Sequence, residues 1–281
     1  MSDRPRFGST AGHYTRHRPG YGATVIDHLR DRFRLDADSD AGERDGNAGE
    51  HNGDPEGREV RVLDLGCGTG KLAVALAPYA DEAVAVDPSA AMLDAARDRA
   101  AAAGVDDVRT VVGDDTDVGR LDAASGPFRL TTMGRSFHWM DGAATLDRIR
   151  GVTEPGGGVA LVSDDEWLTK GTEDWQAAAY AVAGEYLDDS PGRTGPVEYD
   201  RTWADHLRDA GFDDVCVESV AERRELDADA VVGYVLSLSF CSPEQLGEEA
   251  TAFEADLRAR LAAVGGPFTY ERTVEVTSGY V

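Results

Sequence analysis

Lysine is nearly absent from this chain of 281 residues, in which only Lys71 and Lys170 occur. Lysine and arginine together number 28 against 53 acidic residues, so the formal net charge is −25. A surface this acidic repels phosphate backbones, which disfavours general nucleic-acid binding. In concentrated salt, counterions screen such self-repulsion while the charge keeps a protein in solution. We therefore expect a halophilic protein whose acidic side chains mostly form a solvated surface.

Cysteines and long apolar runs are also scarce. The three cysteines, Cys67, Cys216 and Cys241, are widely spaced and follow no metal-ligand pattern, so we expect neither a structural disulfide nor a metal site. The first residues, MSDRPRFGST, lack the apolar segment of a secretion signal, and no run approaches the ~18 apolar residues of a membrane span. The sequence thus predicts a cytoplasmic protein that does not bind membranes.

Composition divides the chain into three parts. Apolar residues at helical spacing in 24–35 predict an N-terminal arm and helix over residues 1–35. Residues 36–58 are rich in Gly, Asp and Glu and almost free of apolar side chains, which predicts a flexible acidic insertion. The remaining domain, 59–281, is divided into a core (59–165), a lid insertion (166–200) and C-terminal helices and strands (201–281).

Strand and helix signals alternate through the core. The apolar runs VRVLDL (60–65) and EAVAVD (82–87) each precede a helical pattern, the second one bounded by Ser89 as N-cap and Gly104 as terminator. Further along, EPGGG is expected to be a turn before a strand, and residues 228–264 a helical stretch. Short apolar strands that alternate with helices predict an α/β fold with a mostly parallel sheet covered on both faces.

The stretch VLDLGCGTGKLA, residues 62–73, places three glycines directly after the first strand. A dinucleotide fingerprint requires glycine at the first, third and sixth positions, but the sixth position counted from Gly66 is Lys71. A nucleotide-phosphate loop of the form GxxxxGK[ST] is absent. What does fit is D-x-G-x-G-x-G, in which Asp64 ends the strand and Gly66, Gly68 and Gly70 let backbone N–H groups approach a ligand.

With the strand endings downstream, this pattern resembles motif I of the class I S-adenosylmethionine-dependent methyltransferases. The resemblance implies a Rossmann-like sheet of seven strands with a helical lid, and S-adenosyl-L-methionine as cofactor. Asp87 ends the next strand, where an acidic side chain can accept hydrogen bonds from both ribose hydroxyls. Asp114 ends the third strand, where the family uses an acidic side chain to bind the adenine amino group, although an aspartate there also commonly caps a helix.

The pattern F-x-x-x-A-x-x-Y-x-x-x-R-P-x-Y at residues 7–21 is similar to the branch that contains trans-aconitate methyltransferase-like and type 11 domain proteins. This resemblance implies cofactor contacts from Tyr14 and Arg18, with Arg18 as partner of the methionine carboxylate. Ordinary packing of an N-terminal arm is the alternative for both residues. Gly22 stands where that branch has a proline, and Arg129 where it has an acidic residue.

The pair His138 and Trp139, also typical of that branch, follows the fourth strand, at the edge where open α/β sheets bind their ligands. Histidine there is suited to orient an acceptor or to remove its proton near neutral pH. The alternative is a histidine that only satisfies local hydrogen bonds. His138 is the candidate catalytic residue, whereas Trp139 is expected to pack.

Together these features predict an enzyme that transfers the sulfonium methyl group to an O, N or C nucleophile of a small molecule by in-line displacement. Two alternatives stay open at this point. One is an NAD-dependent oxidoreductase on a related sheet, and the other is a non-catalytic protein that binds S-adenosylmethionine. The sequence carries no motif that identifies the acceptor or the oligomeric state.

Overall fold

A seven-stranded sheet in the order β3-β2-β1-β4-β5-β7-β6 forms the centre of the protein. The structure is a computed structural model that describes residues 20–35, 59–164, 173–187, 201–238 and 240–281, without the side chains of residues 122–125. All neighbouring strands run parallel except β7, which is antiparallel to both β5 and β6. The predicted α/β class and the Rossmann-like, mostly parallel sheet of seven strands are confirmed.

The strands are Arg61–Leu65 (β1), Glu82–Asp87 (β2), Val108–Val112 (β3), Phe128–Gly134 (β4), Thr153–Asp164 (β5), Asp213–Leu226 (β6) and Phe268–Tyr280 (β7). The helices are Ala23–Phe33 (α1), Lys71–Leu76 (α2), Ala90–Ala103 (α3), Val118–Ser125 (α4), Gly142–Val152 (α5), Asp174–Tyr186 (α6), Trp203–Asp209 (α7), Ala228–Leu236 (α8), Pro243–Leu246 (α9) and Ala250–Val264 (α10).

Burial explains why the central strands consist of continuous apolar residues. Strands β1 and β2 are buried on both faces, as expected for parallel strands covered by helices on each side. One face packs an apolar core with residues of α5 and α7, and the other packs a second core with α1 and α2. None of the helices in the described part of the chain combines the length and hydropathy that a membrane span needs.

Local signals set the helix boundaries as the sequence predicts. The Ser89 hydroxyl accepts a hydrogen bond from the Met92 N–H at the start of α3, and Gly104 ends that helix with φ of 66°. Glycine adopts this left-handed conformation without the steric penalty that a Cβ adds. Helix α3 therefore begins and ends where its two caps place it.

A third apolar core lies beyond the carboxyl end of β5. Residues Val274–Tyr280 of β7 pair with β5, while the rest of β7 continues past Asp164 and pairs only with β6. Helices α6, α8, α9 and α10 pack against this extension, and we call these four helices the cap. The cap therefore stands over the edge of the sheet where the parallel strands end.

Three predictions at the level of elements need correction. EPGGG is not a separate turn, because residues 154–158 already belong to β5 and the irregularity appears as a register shift against β4. The helical stretch 228–264 is interrupted, since Ser242 caps a new helix at α9. Strand β3 ends at Val112, two residues before Asp114. The predicted insertion 36–58 lies outside the described residues, and the domain boundaries and the lid role of 166–200 stay predictions.

Candidate active site

The three glycines after β1 form a turn that other residues could not adopt without strain. Gly66, Gly68 and Gly70 have φ of 69°, 53° and 70°, all in the left-handed region. A Cβ on Gly66 would lie 2.5 Å from the Ser136 Cβ, and a Cβ on Gly70 would lie 2.8 Å from the Ala96 Cβ. At Gly68, by contrast, a Cβ would meet nothing within 4 Å. The turn is packed on two sides and open at Gly68.

Asp87, the last residue of β2, fixes the backbone of this turn at Gly68. Its carboxylate accepts hydrogen bonds from the Gly68 N–H and from the Ser89 N–H, both at 2.9 Å. Burial raises the pKa of Asp87, and the hydrogen bonds from Ser89 and Gly68 oppose that rise. A carboxylate is thereby fixed at the carboxyl edge of the sheet, beside the open space at Gly68.

Asp64 lies deeper, next to last in β1. One carboxylate oxygen accepts a hydrogen bond from the Ala73 N–H at 3.0 Å, and the other accepts one from the Thr132 hydroxyl at 3.1 Å. The pKa of Asp64 is raised to about 7, mainly by burial and also by the charge of Asp87, while the hydrogen bonds from Ala73 and Thr132 oppose the rise. The side chain joins β1 to α2 and β4.

A pocket opens beside the turn at the junction of β1 and β4, where the chain order of the sheet reverses and α/β folds bind ligands. Charged side chains of both signs face it, and the buried Thr69 hydroxyl has no hydrogen-bond partner among the described residues. The lining residues are Tyr21, Asp64, Cys67, Thr69, Lys71, Leu72, Gly134, Arg135, Asp164, Tyr234 and Arg272.

Most of these lining residues were not predicted from the sequence. Thr69 and Lys71 flank Gly70, so the glycine motif itself was the available signal. Arg135, Asp164 and Tyr234 come from the end of β4, the end of β5 and the cap, and only the fold brings them together. Residues this distant in sequence carry no shared pattern.

Arg135 occupies a conformation unusual for a residue with a side chain. Its φ is 55°, and its backbone N–H donates to the Val162 carbonyl at 2.9 Å, which fixes the bend after β4. Its guanidinium lies 3.2 Å from one carboxylate oxygen of Asp164. Backbone strain that the surrounding structure enforces is common at functional sites, so Arg135 belongs to the candidate site.

Asp114 lies outside β3, at the N-cap of a short 3₁₀ turn over Asp115–Asp117. One of its carboxylate oxygens accepts hydrogen bonds from the Thr116 N–H at 2.9 Å and the Thr116 hydroxyl at 2.6 Å. The capping alternative for this residue is therefore observed, and an adenine contact stays a prediction.

His138 and Trp139 lie in a 3₁₀ turn, Phe137–Trp139, three residues beyond the end of β4. Both side chains are exposed, Trp139 by 60%, and their ring centroids are 4.9 Å apart. Partial burial lowers the pKa of His138, and the charge of Arg135 lowers it further. The imidazole is therefore neutral at pH 7 and able to accept a proton.

Two further features are the N-terminal arm and the thiol in the turn. Tyr14 and Arg18 lie outside the described residues. Cys67 is half-buried, and its Sγ lies 3.5 Å from the Gly68 carbonyl oxygen. Burial raises the pKa of the Cys67 thiol well above its usual range, so the thiol stays protonated rather than nucleophilic.

Comparisons with known proteins identify the family. The family model described as a methyltransferase domain matches residues 62–157. Uncharacterized methyltransferases of Mycobacterium tuberculosis strain H37Rv and Mycobacterium bovis are each 30% identical to this chain over 242 residues, which is 85% of this chain and 80% of the relative. The chain belongs to the class I S-adenosylmethionine-dependent methyltransferases.

Solved structures show the same fold for this methyltransferase. A SAM-dependent methyltransferase from Thiobacillus denitrificans, in complex with S-adenosyl-L-homocysteine, aligns with a TM-score of 0.50 and 19% identity. The alignment covers 99% of this chain and 98% of that one. S-Adenosylmethionine is the cofactor of the enzyme. The NAD-dependent and non-catalytic alternatives are thereby disfavoured.

The residues of the methyltransferase suit this cofactor. Its ribose hydroxyls need an acceptor such as the Asp87 carboxylate, and the open side of Gly68 leaves room for close approach. The amino group of the cofactor needs a negatively charged side chain, and its carboxylate needs a positively charged side chain or a hydroxyl donor. The pocket offers Asp64 for the first and Lys71 and Thr69 for the second. The fit rests on the donor and acceptor types present at this edge of the sheet.

Proposed function

We propose that this methyltransferase transfers a methyl group to an O, N or C nucleophile of a small molecule bound at the carboxyl edge of the sheet. The observation that carries the proposal is the glycine turn, open at Gly68 and held there by the carboxylate of Asp87. When bound, the cofactor would supply a sulfonium methyl group: the acceptor nucleophile would form a bond to the methyl carbon as the carbon–sulfur bond breaks, and S-adenosylhomocysteine would leave with the electron pair. Asp64 and the glycine turn would hold its amino-acid part, and Asp87 its ribose.

Contacts to the ends of the cofactor complete the proposed binding site. We assign the adenine amino group to Asp114, which would have to share its carboxylate with the capping bonds from Thr116. Tyr14 and Arg18 are proposed to contact the methionine part, with Arg18 as partner of the carboxylate. These three assignments come from the family resemblance.

Methyl transfer asks the protein mainly for alignment and for the exclusion of water. The cap stands over the carboxyl edge and brings Tyr234 to the pocket, so it can cover a bound acceptor. A base is needed only where the acceptor must lose a proton. We propose that His138, neutral at pH 7, takes that proton or orients the acceptor.

A small molecule suits this site better than a macromolecule. The pocket is concave and bounded by the cap, as small-molecule sites usually are. The net charge of −25 opposes contact with nucleic acids. We also propose a cytoplasmic, halophilic protein on the strength of its acidic composition, so that assays belong in molar KCl.

Calorimetric titration tests the cofactor part of the proposal. We expect both S-adenosylmethionine and S-adenosylhomocysteine to bind in molar KCl, NAD to give no heat, and Asp87→Ala to weaken both sulfur ligands by about 100-fold through the lost hydrogen bonds. Asp94→Ala is the matched control, because Asp94 is an exposed aspartate on the neighbouring helix α3. Equal affinity in both variants, or no binding by well-folded wild type, would refute the site.

An acceptor screen tests the catalytic part. Formation of S-adenosylhomocysteine is measured with libraries of carboxylic acids, phenols, amines and carbon acids. With an acceptor that must lose a proton, we expect His138→Ala to lower the rate by roughly 10²-fold, while a carboxylate acceptor is spared. A protein that binds the cofactor and turns over no acceptor in any class would contradict the proposed reaction.

A further inference from the structure

The wall of the pocket formed by Tyr21 does not belong to the sheet. Tyr21 lies in the short stretch 20–22 that precedes α1, about 110 positions in sequence from Gly134. A Cβ on Gly134 would lie 2.8 Å from the Tyr21 hydroxyl oxygen, so the hydroxyl rests against the end of β4. The close approach requires a glycine at position 134, and it places the phenol beside the turn after β1.

Both peptide groups that flank Tyr21 are held by side chains of β6 and β7. The Gly20 carbonyl accepts hydrogen bonds from Arg272 at 2.6 Å and from Arg224 at 3.2 Å. On the other side, the Gly22 N–H donates to the Glu222 carboxylate at 2.6 Å. The chain is therefore fastened immediately before and immediately after Tyr21.

Two of these three side chains, Glu222 and Arg272, form an ion pair of their own. Glu222 and Arg272 are partners in the β6–β7 register, and Arg272 donates to one Glu222 oxygen at 2.8 and 2.6 Å. Arg272, 6% exposed, also donates to Asp164 at 2.7 Å. Buried ion pairs contribute little net stability, but hydrogen bonds to Glu222, to Asp164 and to the Gly20 carbonyl hold the Arg272 guanidinium in one geometry.

The orientation of the aromatic ring follows from the same network. The Arg272 guanidinium carbon lies 5.8 Å from the centroid of the Tyr21 ring, within the range of cation–π attraction. Asp164 links Arg272 to Arg135, whose guanidinium also faces the pocket. The network thus runs from β6 through Arg272 to the residues that line the site.

We infer that Tyr21 contacts the amino-acid end of the bound cofactor and that Glu222 and Arg272 are positioning residues that hold Tyr21 in place. The inference rests on the proposed cofactor site; Tyr21 is the last residue of the N-terminal pattern at 7–21, whereas Glu222 and Arg272 belong to no motif. Charged lining residues of both signs surround Tyr21, which matches a group that carries both an ammonium and a carboxylate. Glu222 and Arg272 lie on the outer strands and act through the backbone of residues 20 and 22.

Two probe ligands and a double variant test this inference by calorimetry. S-Adenosylhomocysteine has the amino-acid end, and 5′-methylthioadenosine lacks it. We expect Tyr21→Ala and Glu222→Ala each to weaken S-adenosylhomocysteine about tenfold and to change 5′-methylthioadenosine less than twofold. If Glu222 acts through Tyr21, the double variant loses about tenfold, whereas independent effects would multiply to about 100-fold.

Glu271→Ala is the matched control. Glu271 lies next to Arg272 on β7 and pairs across the ladder with Arg223 at 3.4 Å, but both partners are exposed. We expect Glu271→Ala to leave the affinities for S-adenosylhomocysteine and 5′-methylthioadenosine unchanged. Should Glu222→Ala fail to fold, Arg224→Met takes its place with an expected loss of about threefold, since it removes the second donor to the Gly20 carbonyl and the 3.5 Å ion pair of Arg224 with Glu222 but leaves the bonds of Arg272 in place.

The outcomes separate this inference from the proposed function. If wild-type protein does not bind S-adenosylhomocysteine, the cofactor site itself is wrong. If the wild type binds it and Tyr21→Ala does not weaken it, or weakens both ligands equally, the assignment of Tyr21 is overturned. If the double variant loses the product of the single losses, Glu222 is not a positioning residue for Tyr21.

Discussion

A buried carboxylate is the residue on which the centre of the candidate site depends. Asp64 receives hydrogen bonds from Ala73 and Thr132, yet burial still raises its pKa to about 7. The folded protein therefore binds a proton at this residue that the unfolded chain, with an aspartate pKa of about 3.9, releases. Its contribution to stability is full below pH 4 and is lost as pH rises through 7.

Asp64→Asn isolates this effect. The amide keeps an acceptor for Ala73 and cannot ionise, so the free energy of unfolding of the variant relative to wild type should increase between pH 5 and pH 8, by on the order of 3 kcal/mol. Urea unfolding of both proteins in molar KCl measures the difference between their free energies of unfolding. The contributions of the other acidic residues cancel in that difference. A difference that is constant over this pH range would show that Asp64 does not titrate there.

Gly68 is a second test at the level of a residue. Its φ of 53° and the φ of 66° at Gly104 are both left-handed, and a Cβ would meet nothing within 4 Å at either position. The substitutions Gly68→Ala and Gly104→Ala should therefore lower the free energy of unfolding by a similar amount, about 1 kcal/mol each. Only the methyl group at position 68 would enter the proposed site.

We expect Gly68→Ala to weaken S-adenosylhomocysteine by tenfold or more and Gly104→Ala to leave the affinity unchanged, since only one methyl group displaces the ligand. Calorimetry gives the affinities and urea unfolding the stabilities. Equal affinities would place the ligand away from the open side of the turn.

At the level of elements, an ion pair fastens the amino end of β4 to β5. Arg129 and Glu154 are both buried, with their side chains 9% and 1% exposed, and the guanidinium contacts the carboxylate. Arg129 stands where the resembled branch has an acidic residue, and Glu154 explains how a cation is accommodated there. The pair also adjoins the register shift between the two strands.

Arg129→Met should destabilise the protein by roughly 3 to 5 kcal/mol, because it leaves the Glu154 carboxylate buried without its counter-ion. Arg129→Met combined with Glu154→Leu should recover most of that loss. Thermal and urea unfolding of the wild type, the single variant and the double variant measure these differences. A double variant as unstable as the single one would mean that lost packing, rather than the unpaired Glu154 carboxylate, causes most of the destabilisation.

The sequence predicted the elements whose signals are local. The glycine turn, the caps at Ser89 and Gly104 and the central strands follow from short patterns, and the structure confirms them. The sequence did not predict the pocket positions of Arg135, Asp164 and Tyr234, or the hydrogen bonds that hold the peptide groups on either side of Tyr21. Each of these depends on contacts between distant strands and the cap. Asp114 was harder, since one side chain is suited to a cap as well as to a ligand.

For the whole molecule, the dominant property is the net charge of −25. Self-repulsion of the folded state falls as salt shortens the Debye length from ~10 Å at 0.1 M to ~3 Å at 1 M. Raising KCl over this range should therefore stabilise the folded protein and raise its unfolding temperature by several degrees. Scanning calorimetry in KCl, with sucrose as a control for solute exclusion, measures the effect. An unfolding temperature independent of KCl would contradict the salt-adapted reading.

A crystal structure of the protein with S-adenosylhomocysteine would show whether the glycine turn binds the cofactor. We expect the ligand at the junction of β1, β2 and β4, with its ribose hydroxyls within hydrogen-bond distance of the Asp87 carboxylate and its backbone contact at Gly68. We also expect its amino-acid end in the pocket beside Tyr21. A ligand bound elsewhere, or a ribose turned away from Asp87, would contradict the assignment of the glycine turn.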